Sequence, residues 1–483
     1  MRILGSCITY LFGILVVAGL PYGTAARWGT KASNAPVPRS GQISPGTIIE
    51  RVLCLADPAQ SYALYLPSGY TPQKAWPIIY AFDAGARGSL PVERFREAAE
   101  TYGHIIVGSN NSRNGPWGPN FAAAEAMWTD THARFSLDTN RVYATGFSGG
   151  ARVACEVAYK PRYKVAGVIA HGAGFRQGHG PSINTPFIFF GTAGNEDFNL
   201  LELQDLQQTL DTYGIANGLV TFDGPHDWAP DTVCTAAVEW MELLAMKTGR
   251  CQPDERLIEL IYEKRLNQAR MLEKSGDFSG AFKEYQAIIL DFTGLRDVAD
   301  ARDKATQLEA AKEVKRAKRR EAKRRDGERE VLDSVGRHFA AILNPTLRSE
   351  AVRAILKIAR KNAVSGDRKS TPEERHRNAR IRNYITMLAY TNGAAYLEKE
   401  YYPEAVVVFE LWTEIEPEQH VPYYYLARAY STSGECVKAL QALESAVEKG
   451  FNDLALMERD PYLVSLSREE RYQQLVRRLE GTP

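Results

Sequence analysis

The sequence predicts an α/β unit built on a mostly parallel sheet, followed by an all-α helical-repeat region. Three observations predict it. Short runs rich in apolar and β-branched residues alternate with helical stretches from residue 47 to about 248. Strand signal nearly vanishes from residue 254 onward, and a 34-residue period appears near the C-terminus. Continuous apolar strands separated by helices require a sheet covered on both faces, which is the parallel arrangement.

The first residues read as an export signal. Arg2 supplies the basic end, residues 8–20 the apolar stretch, and Gly23, Thr24, Ala25 and Ala26 the small residues of a cleavage site. The expectation is a signal peptide over 1–26, cut after Ala25 or Ala26. It implies a secreted or periplasmic protein with no stable membrane span after cleavage. Residues 27–46, rich in Pro, Ser and Gly toward their end, read as a linker. Five cysteines then remain: Cys54, Cys155, Cys234, Cys251 and Cys436. The odd number leaves at least one free thiol or an intermolecular bond. Cys54 with Cys234 is the first pair to test, and Cys234 with Cys251 the alternative. Of 483 residues 44% are hydrophobic and the net charge is +1, so no global field attracts nucleic acid.

The α/β unit is expected over 47–250. Strands are predicted at 47–55, 62–66, 78–82, 104–109, 141–145, 165–170, 187–190 and 219–222, the first two as an antiparallel edge. Helices are predicted at 91–102, 120–135, 151–159, 200–213 and 232–246. Residues 251–335 are expected to hold a helical hairpin and a charged helix. That helix carries nine basic residues from Lys312 to Arg325 without a convincing apolar stripe, and reads as a solvated spacer. Residues 336–483 are expected to be helical. Thr371, Pro372, Glu373 and Glu374 form a capping box with proline in the first helical turn.

The period is carried by Gly393, Tyr396, Ala405 and Phe409, echoed 34 residues later by Ala427, Tyr430, Ala439 and Leu443. Small residues where helices cross, with aromatics between them, are similar to tetratricopeptide repeats. A weaker unit spans 262–295, with Ala269, Gly276, Ala281 and Tyr285 at matching offsets. Such repeats imply a surface for a protein partner, with one or two of Tyr423, Tyr424 and Tyr425 lining it and at least one in the core.

The segment "RVYATGFSGGARVACE" (141–156) sets Ser148 between Gly146 and Gly150, after a strand-like run and before a helical one. That is a nucleophile elbow. A serine hydroxyl needs an imidazole to take its proton and an acid to orient that imidazole. On a parallel sheet the acid follows a late strand and the histidine the last one. The run "GTAGNEDFN" offers Asp197, with Glu196 as the alternative, and "DGPHDWAP" offers His226. His171 also follows a strand, but it precedes the acid and is disfavoured by chain order. An oxyanion hole needs two backbone donors: Gly149, after the nucleophile, and Ala84 or Gly85 from "YAFDAGARG". The loop "NNSRNGPWGPN" (110–120) is read either as a pocket wall or as a surface turn. No cluster has metal-ligand spacing.

With those pieces in order over about 200 residues, the chain resembles the polyhydroxybutyrate-depolymerase, feruloyl-esterase and dienelactone-hydrolase group of α/β-hydrolases. The matching pieces are "SYALYLPSGY", "IIYAFDAGARG", "TGFSGGARVA", "FGTAGNEDFN" and "GPHDWAP". The resemblance implies an ester substrate, hydrolysis through Ser148, His226 and Asp197, and no cofactor. Asp83 departs from it, standing where many such esterases carry histidine; so do the extra residues before Asp197 and the long helical C-terminus. A serine peptidase of the same fold and a repeat scaffold with an inactive hydrolase unit are the rival readings. On this division of labour, a chain ending near Gly249 is expected to keep its activity.

Overall fold

The computed structural model describes residues 43–363 and 370–481. The predicted signal segment, most of the linker and Cys7 lie outside the described residues. The chain divides into two compact units. One holds residues 43–332 and 370–380, the other 333–363 and 381–481.

The first unit is built on one eight-stranded sheet. Its strands are β1 (Ile48–Leu53), β2 (Ser61–Tyr65), β3 (Trp76–Asp83), β4 (Ile105–Ser109), β5 (Leu137–Phe147), β6 (Gly167–His171), β7 (Ile188–Gly194) and β8 (Asn217–Phe222), in the spatial order 1-2-4-3-5-6-7-8. β1 and β2 pair antiparallel, as does β2 with β4; from β4 to β8 every pairing is parallel. The fold class is therefore as predicted, and all eight predicted strands form. The predicted helix at 91–102 is two helices, α1 (Ser89–Arg94) and α2 (Arg96–Tyr102), joined at Phe95. The others are α3 (Trp117–Arg134), α4 (Gly149–Ala158), α5 (Leu200–Thr212) and α6 (Asp231–Lys247).

Successive strand residues point to opposite faces, and two cores result. Ile78, Tyr80, Val142 and Val168 pack with Met127 of α3, Ala154 of α4 and Leu203 of α5. Ile79, Tyr143, Ile169 and Phe190 pack with Val92 of α1, Ala98 of α2 and Val238 of α6. This settles the cysteines. Cys54 and Cys155 lie in the first core and Cys234 in the second, on opposite faces of the sheet. All five are free thiols, so neither Cys54–Cys234 nor Cys234–Cys251 is bonded. Burial pushes the Cys54 thiol up to about 12 and raises those of Cys155 and Cys234 further, which keeps them protonated.

The second core does not stop at α6. Three more helices, α7 (Glu255–Lys274), α8 (Phe278–Phe292) and α9 (Ala299–Ala310), continue it through Ile258, Tyr262, Leu266, Phe282 and Ile288. Each such side chain contributes about 1.5–3 kcal/mol by leaving water. Trp240 of α6 donates its ring N–H to Asp291 of α8 at 3.1 Å, and Arg265 of α7 bridges Asp291 and Glu284. A chain ending near Gly249 would bare this core. The structure thus argues against the expectation that such a chain keeps its activity.

Next comes the charged helix α10 (Lys312–Ala341). Its basic first half, through Arg325, lacks an apolar stripe, whereas Val335 and Phe339 near its end are fully buried. Nor is the basic half merely solvated. Val314 enters the second core, Lys283 pairs with Glu321, and Arg329 forms a bidentate pair with Asp205 of α5 at 2.6 and 2.7 Å. These ion pairs are largely exposed, so each adds at most about 1 kcal/mol.

The remaining helices are α11 (Arg348–Lys361), α12 (Pro372–Glu398), α13 (Tyr402–Ile415), α14 (His420–Thr432), α15 (Cys436–Glu448), α16 (Leu454–Arg459) and α17 (Glu470–Glu480). The capping box forms: Glu374 N–H donates to Thr371 Oγ1 at 3.2 Å, and Thr371 N–H to Glu374 Oε2 at 2.9 Å. The 34-residue period maps onto helix pairs, α12 with α13 and α14 with α15. All eight marker residues are buried. A Cβ on Gly393 would stand 2.4 Å from the Phe409 ring, so the small residue is required where that pair crosses. Tyr424 and Tyr425 are core residues, and only Tyr423 of the three tyrosines remains partly exposed. Among the described residues no helix is long and apolar enough to cross a membrane.

Candidate active site

β5 ends at Phe147 and α4 begins at Gly149, so Ser148 is the whole connection. It sits at φ 55° and ψ −118°, a conformation that side-chain-bearing residues rarely adopt. The flanking glycines make the turn sterically feasible. A Cβ on Gly146 would lie 2.2 Å from the Gly150 carbonyl, and one on Gly150 would lie 2.0 Å from the Phe82 carbonyl. Ser148 N–H donates to His171 O at 2.9 Å, which ties the elbow to the end of β6.

Two loops at the same sheet edge bring the other predicted residues to it. Asp197 follows β7 and is fully buried. Its Oδ1 accepts from Asn199 N–H at 2.8 Å and lies 2.9 Å from His226 Nδ1. His226 follows β8, and its Nε2 stands 3.0 Å from Ser148 Oγ. The ring is held between Phe147 and Phe198, at centroid distances of 4.6 and 4.3 Å, and its side chain is 10% exposed. The loops are laced by main-chain bonds: Asn195 N–H to Phe222 O at 2.7 Å, and Glu196 N–H to Gly224 O at 3.0 Å. Of the two carboxylates in the loop, Asp197 is the one at the imidazole.

His171 is set apart from His226. It is wholly buried, its Nδ1 lies 2.7 Å from Thr192 Oγ1, and its ring packs on Phe95 and Trp228. Burial lowers it to about 3, so it stays neutral at any working pH. It supports the elbow through its carbonyl.

The turn after β3 carries the oxyanion candidates. Gly85 N–H already donates to Asp83 Oδ1 at 2.8 Å, which leaves Ala84 as the candidate of the two. Gly149 opens α4, where a helix gives its first amide no acceptor of its own. Asp83, the departure from the resembled pattern, is a fully buried structural hub. Its carboxylate takes a bidentate pair from Arg87, both bonds 2.8 Å, and the ring N–H of Trp228 at 2.8 Å. It thereby joins the Ala84 turn to the His226 loop.

Three residues beside the site were not singled out in the sequence reading. Asn114, in the 110–120 loop, donates its N–H to Ala84 O at 2.8 Å, and its side chain lies against Gly149. It therefore touches both oxyanion candidates. Asn120 holds that loop in shape with bonds to Ser112, Arg113 and Pro116. Gly172, at φ 66°, lies under the Asp197–His226 pair; a Cβ there would stand 2.9 Å from both Asp197 Oδ2 and His226 Cε1. The only signal for Gly172 was a glycine two residues after a predicted strand.

No protein-family model matches the chain. No curated protein matches it either. Among solved structures, it is similar to the apoenzyme of S-formylglutathione hydrolase FrmB from Staphylococcus aureus, at 14% identity and TM-score 0.32, over 43% of this chain and 99% of that one. It is also similar to FphF, a fluorophosphonate-binding serine hydrolase of Staphylococcus aureus with substrate bound, at 14% identity and TM-score 0.33, over 41% of this chain and 99% of that one. A third is a serine-to-alanine mutant of the feruloyl esterase module from Clostridium thermocellum complexed with sinapinate, at 15% identity and TM-score 0.31, over 46% of this chain and 94% of that one.

Proposed function

We propose that the chain is an exported serine hydrolase that cleaves carboxylic esters through an acyl-enzyme, with its helical repeats serving a protein partner. One observation carries the reading: a single imidazole bridges a strained serine and a buried carboxylate, at 3.0 and 2.9 Å.

In the proposed reaction Ser148 Oγ attacks the acyl carbon while His226 Nε2 takes its proton. Asp197 holds Nδ1–H, fixing the tautomer and stabilising the imidazolium. The carbonyl oxygen gathers negative charge between the amides of Gly149 and Ala84, the first of them at the positive end of α4. Collapse expels the alcohol, which takes the proton from His226. Water then repeats the sequence on the acyl-enzyme and releases the acid. Export rests on the N-terminal sequence alone, and the partner on the repeat pattern.

The test is labelling of the full chain by a fluorophosphonate, beside turnover of chromogenic esters and of a peptide panel. Ser148→Ala should abolish labelling and lower kcat by on the order of 10⁶. Ester turnover that survives in Ser148→Ala would end the reading. Peptide cleavage in the absence of ester cleavage would shift it to a peptidase.

A further inference from the structure

The helical part of the chain reaches back to the acid loop. Arg380, in the first turns of α12, donates from Nη1 to the Asn195 carbonyl at 2.6 Å. Its Nε and Nη2 form a bidentate pair with Glu328 of α10, both bonds 2.7 Å. The pair is shielded from water, with side chains 14% and 3% exposed. One helical turn earlier, His376 Nε2 lies 3.6 Å from Asp223, three residues before His226.

Asn195 O is a consequential atom to hold. It belongs to the peptide whose N–H, on Glu196, donates to Gly224 O of the histidine loop. That one peptide plane is thus gripped at both ends, by Arg380 and by the loop of His226. Asp197 follows immediately, its own N–H closing a turn onto Gly194 O at 3.0 Å. Rotation of the gripped peptide would swing the carboxylate away from Nδ1. Arginine suits the place because its planar fork can hold a carboxylate with two nitrogens and present the third elsewhere. Lysine carries its three donors on one compact nitrogen and cannot reproduce the planar two-plus-one geometry.

We propose that Arg380, locked by Glu328, is a positioning residue for the site, and that it acts through the Asn195–Glu196 peptide on the aim of Asp197. The inference rests on the serine-hydrolase reading above. It makes hydrolysis depend on a residue 154 positions after His226 and gives a role to residues 370–380, which fall in the same unit as the sheet.

The experiment measures kcat and KM for a small chromogenic ester in the full-length wild type, Arg380→Lys, Arg380→Ala, Asp197→Asn and the double variant Arg380→Lys/Asp197→Asn. Thermal melting selects the variants that fold, and Arg380→Lys keeps a cation beside Glu328 should Arg380→Ala fail to fold. A misplacement of about 1 Å costs on the order of 10² in rate. Arg380→Lys should therefore lose roughly 10- to 100-fold in kcat with KM nearly unchanged. In the Asp197→Asn background the same change should cost almost nothing, because its route to the reaction is already cut. A folded Arg380→Lys with wild-type kcat would overturn the proposal, as would a loss that persists undiminished in the Asp197→Asn background. A wild type that neither labels with fluorophosphonate nor turns over any ester would instead remove the hydrolase reading beneath it.

Discussion

The turn that follows β3 and the turn that follows β7 each hold a fully buried aspartate at the same sheet edge, and the two carboxylates are used in opposite ways. Asp83 is saturated. Arg87 takes both of its oxygens, Gly85 N–H and Trp228 ring N–H take further lone pairs, and its charge is matched by a guanidinium that cannot release a proton. Among the described residues no lysine or arginine pairs with Asp197. Its Oδ1 serves Asn199 N–H and the imidazole of His226, and Oδ2 has no hydrogen-bond partner among the described residues. Burial therefore does not set the two carboxylates apart. The partner does: an arginine locks the charge of Asp83 in place, while Asp197 faces an imidazole, as the proposed reaction requires.

The largest expected effect that tests this contrast is at Asp197. Asp197→Asn keeps the shape and removes the charge, and should lower kcat on the order of 10⁴ with a small change in melting temperature. Glu196→Gln, one residue away, should change kcat little. If the two losses came out in the reverse order, Glu196 would be the orienting acid and the contrast would be misplaced.

Asp83→Asn should show the opposite signature, a loss of stability first. It leaves Arg87 without its counter-charge in a largely buried setting. Breaking such a pair costs about 3 kcal/mol, discounted here because the Arg87 side chain is 30% exposed. Urea unfolding followed by circular dichroism measures this, and a midpoint equal to wild type would show that the hub is dispensable.

The smallest effect, taken per pH unit, concerns His171. His171 titrates near 3 in the folded chain and near ~6.5 when unfolded. Between these values the unfolded chain binds one more proton. The stability is thus fully present above about pH 6.5 and falls by up to ~1.4 kcal/mol per pH unit as pH drops toward the folded value. His171→Gln should flatten the plot of unfolding free energy against pH between pH 4 and 6 by that slope. An unchanged slope would mean that other groups govern acid unfolding.

Much of the site was legible in the sequence because its parts are local. Gly146, Ser148 and Gly150 lie within five residues, and close backbone approach forces glycine at 146 and 150. Asp197 and His226 were found by type and by order after predicted strands. Each strand was legible because a sheet covered on both faces demands a nearly unbroken apolar run. The capping box and the 34-residue period were legible for the same reason: each is a rule about residues a fixed distance apart.

What the sequence left open are contacts between residues far apart along the chain. Asp83 looked like a missing histidine until Trp228, 145 residues on, was seen on its oxygen. The cysteines looked like a pair, but the sheet puts Cys54 and Cys234 on opposite faces, and sequence position says nothing about faces that distant strands share. The boundary near Gly249 looked clean because composition changes there, yet the core crosses it, since α7 and α8 bury their apolar sides on the helix before the boundary. Arg380 carried no local mark at all: a charged residue on a charged helix gains its meaning only from the one carbonyl it reaches. By itself the sequence pointed to the candidate groups, Ser148, Asp197 and His226, through steric rules and chain order that act on short segments. Tertiary structure alone decided which groups hold those in place, because that depends on which surfaces the folded chain presses together.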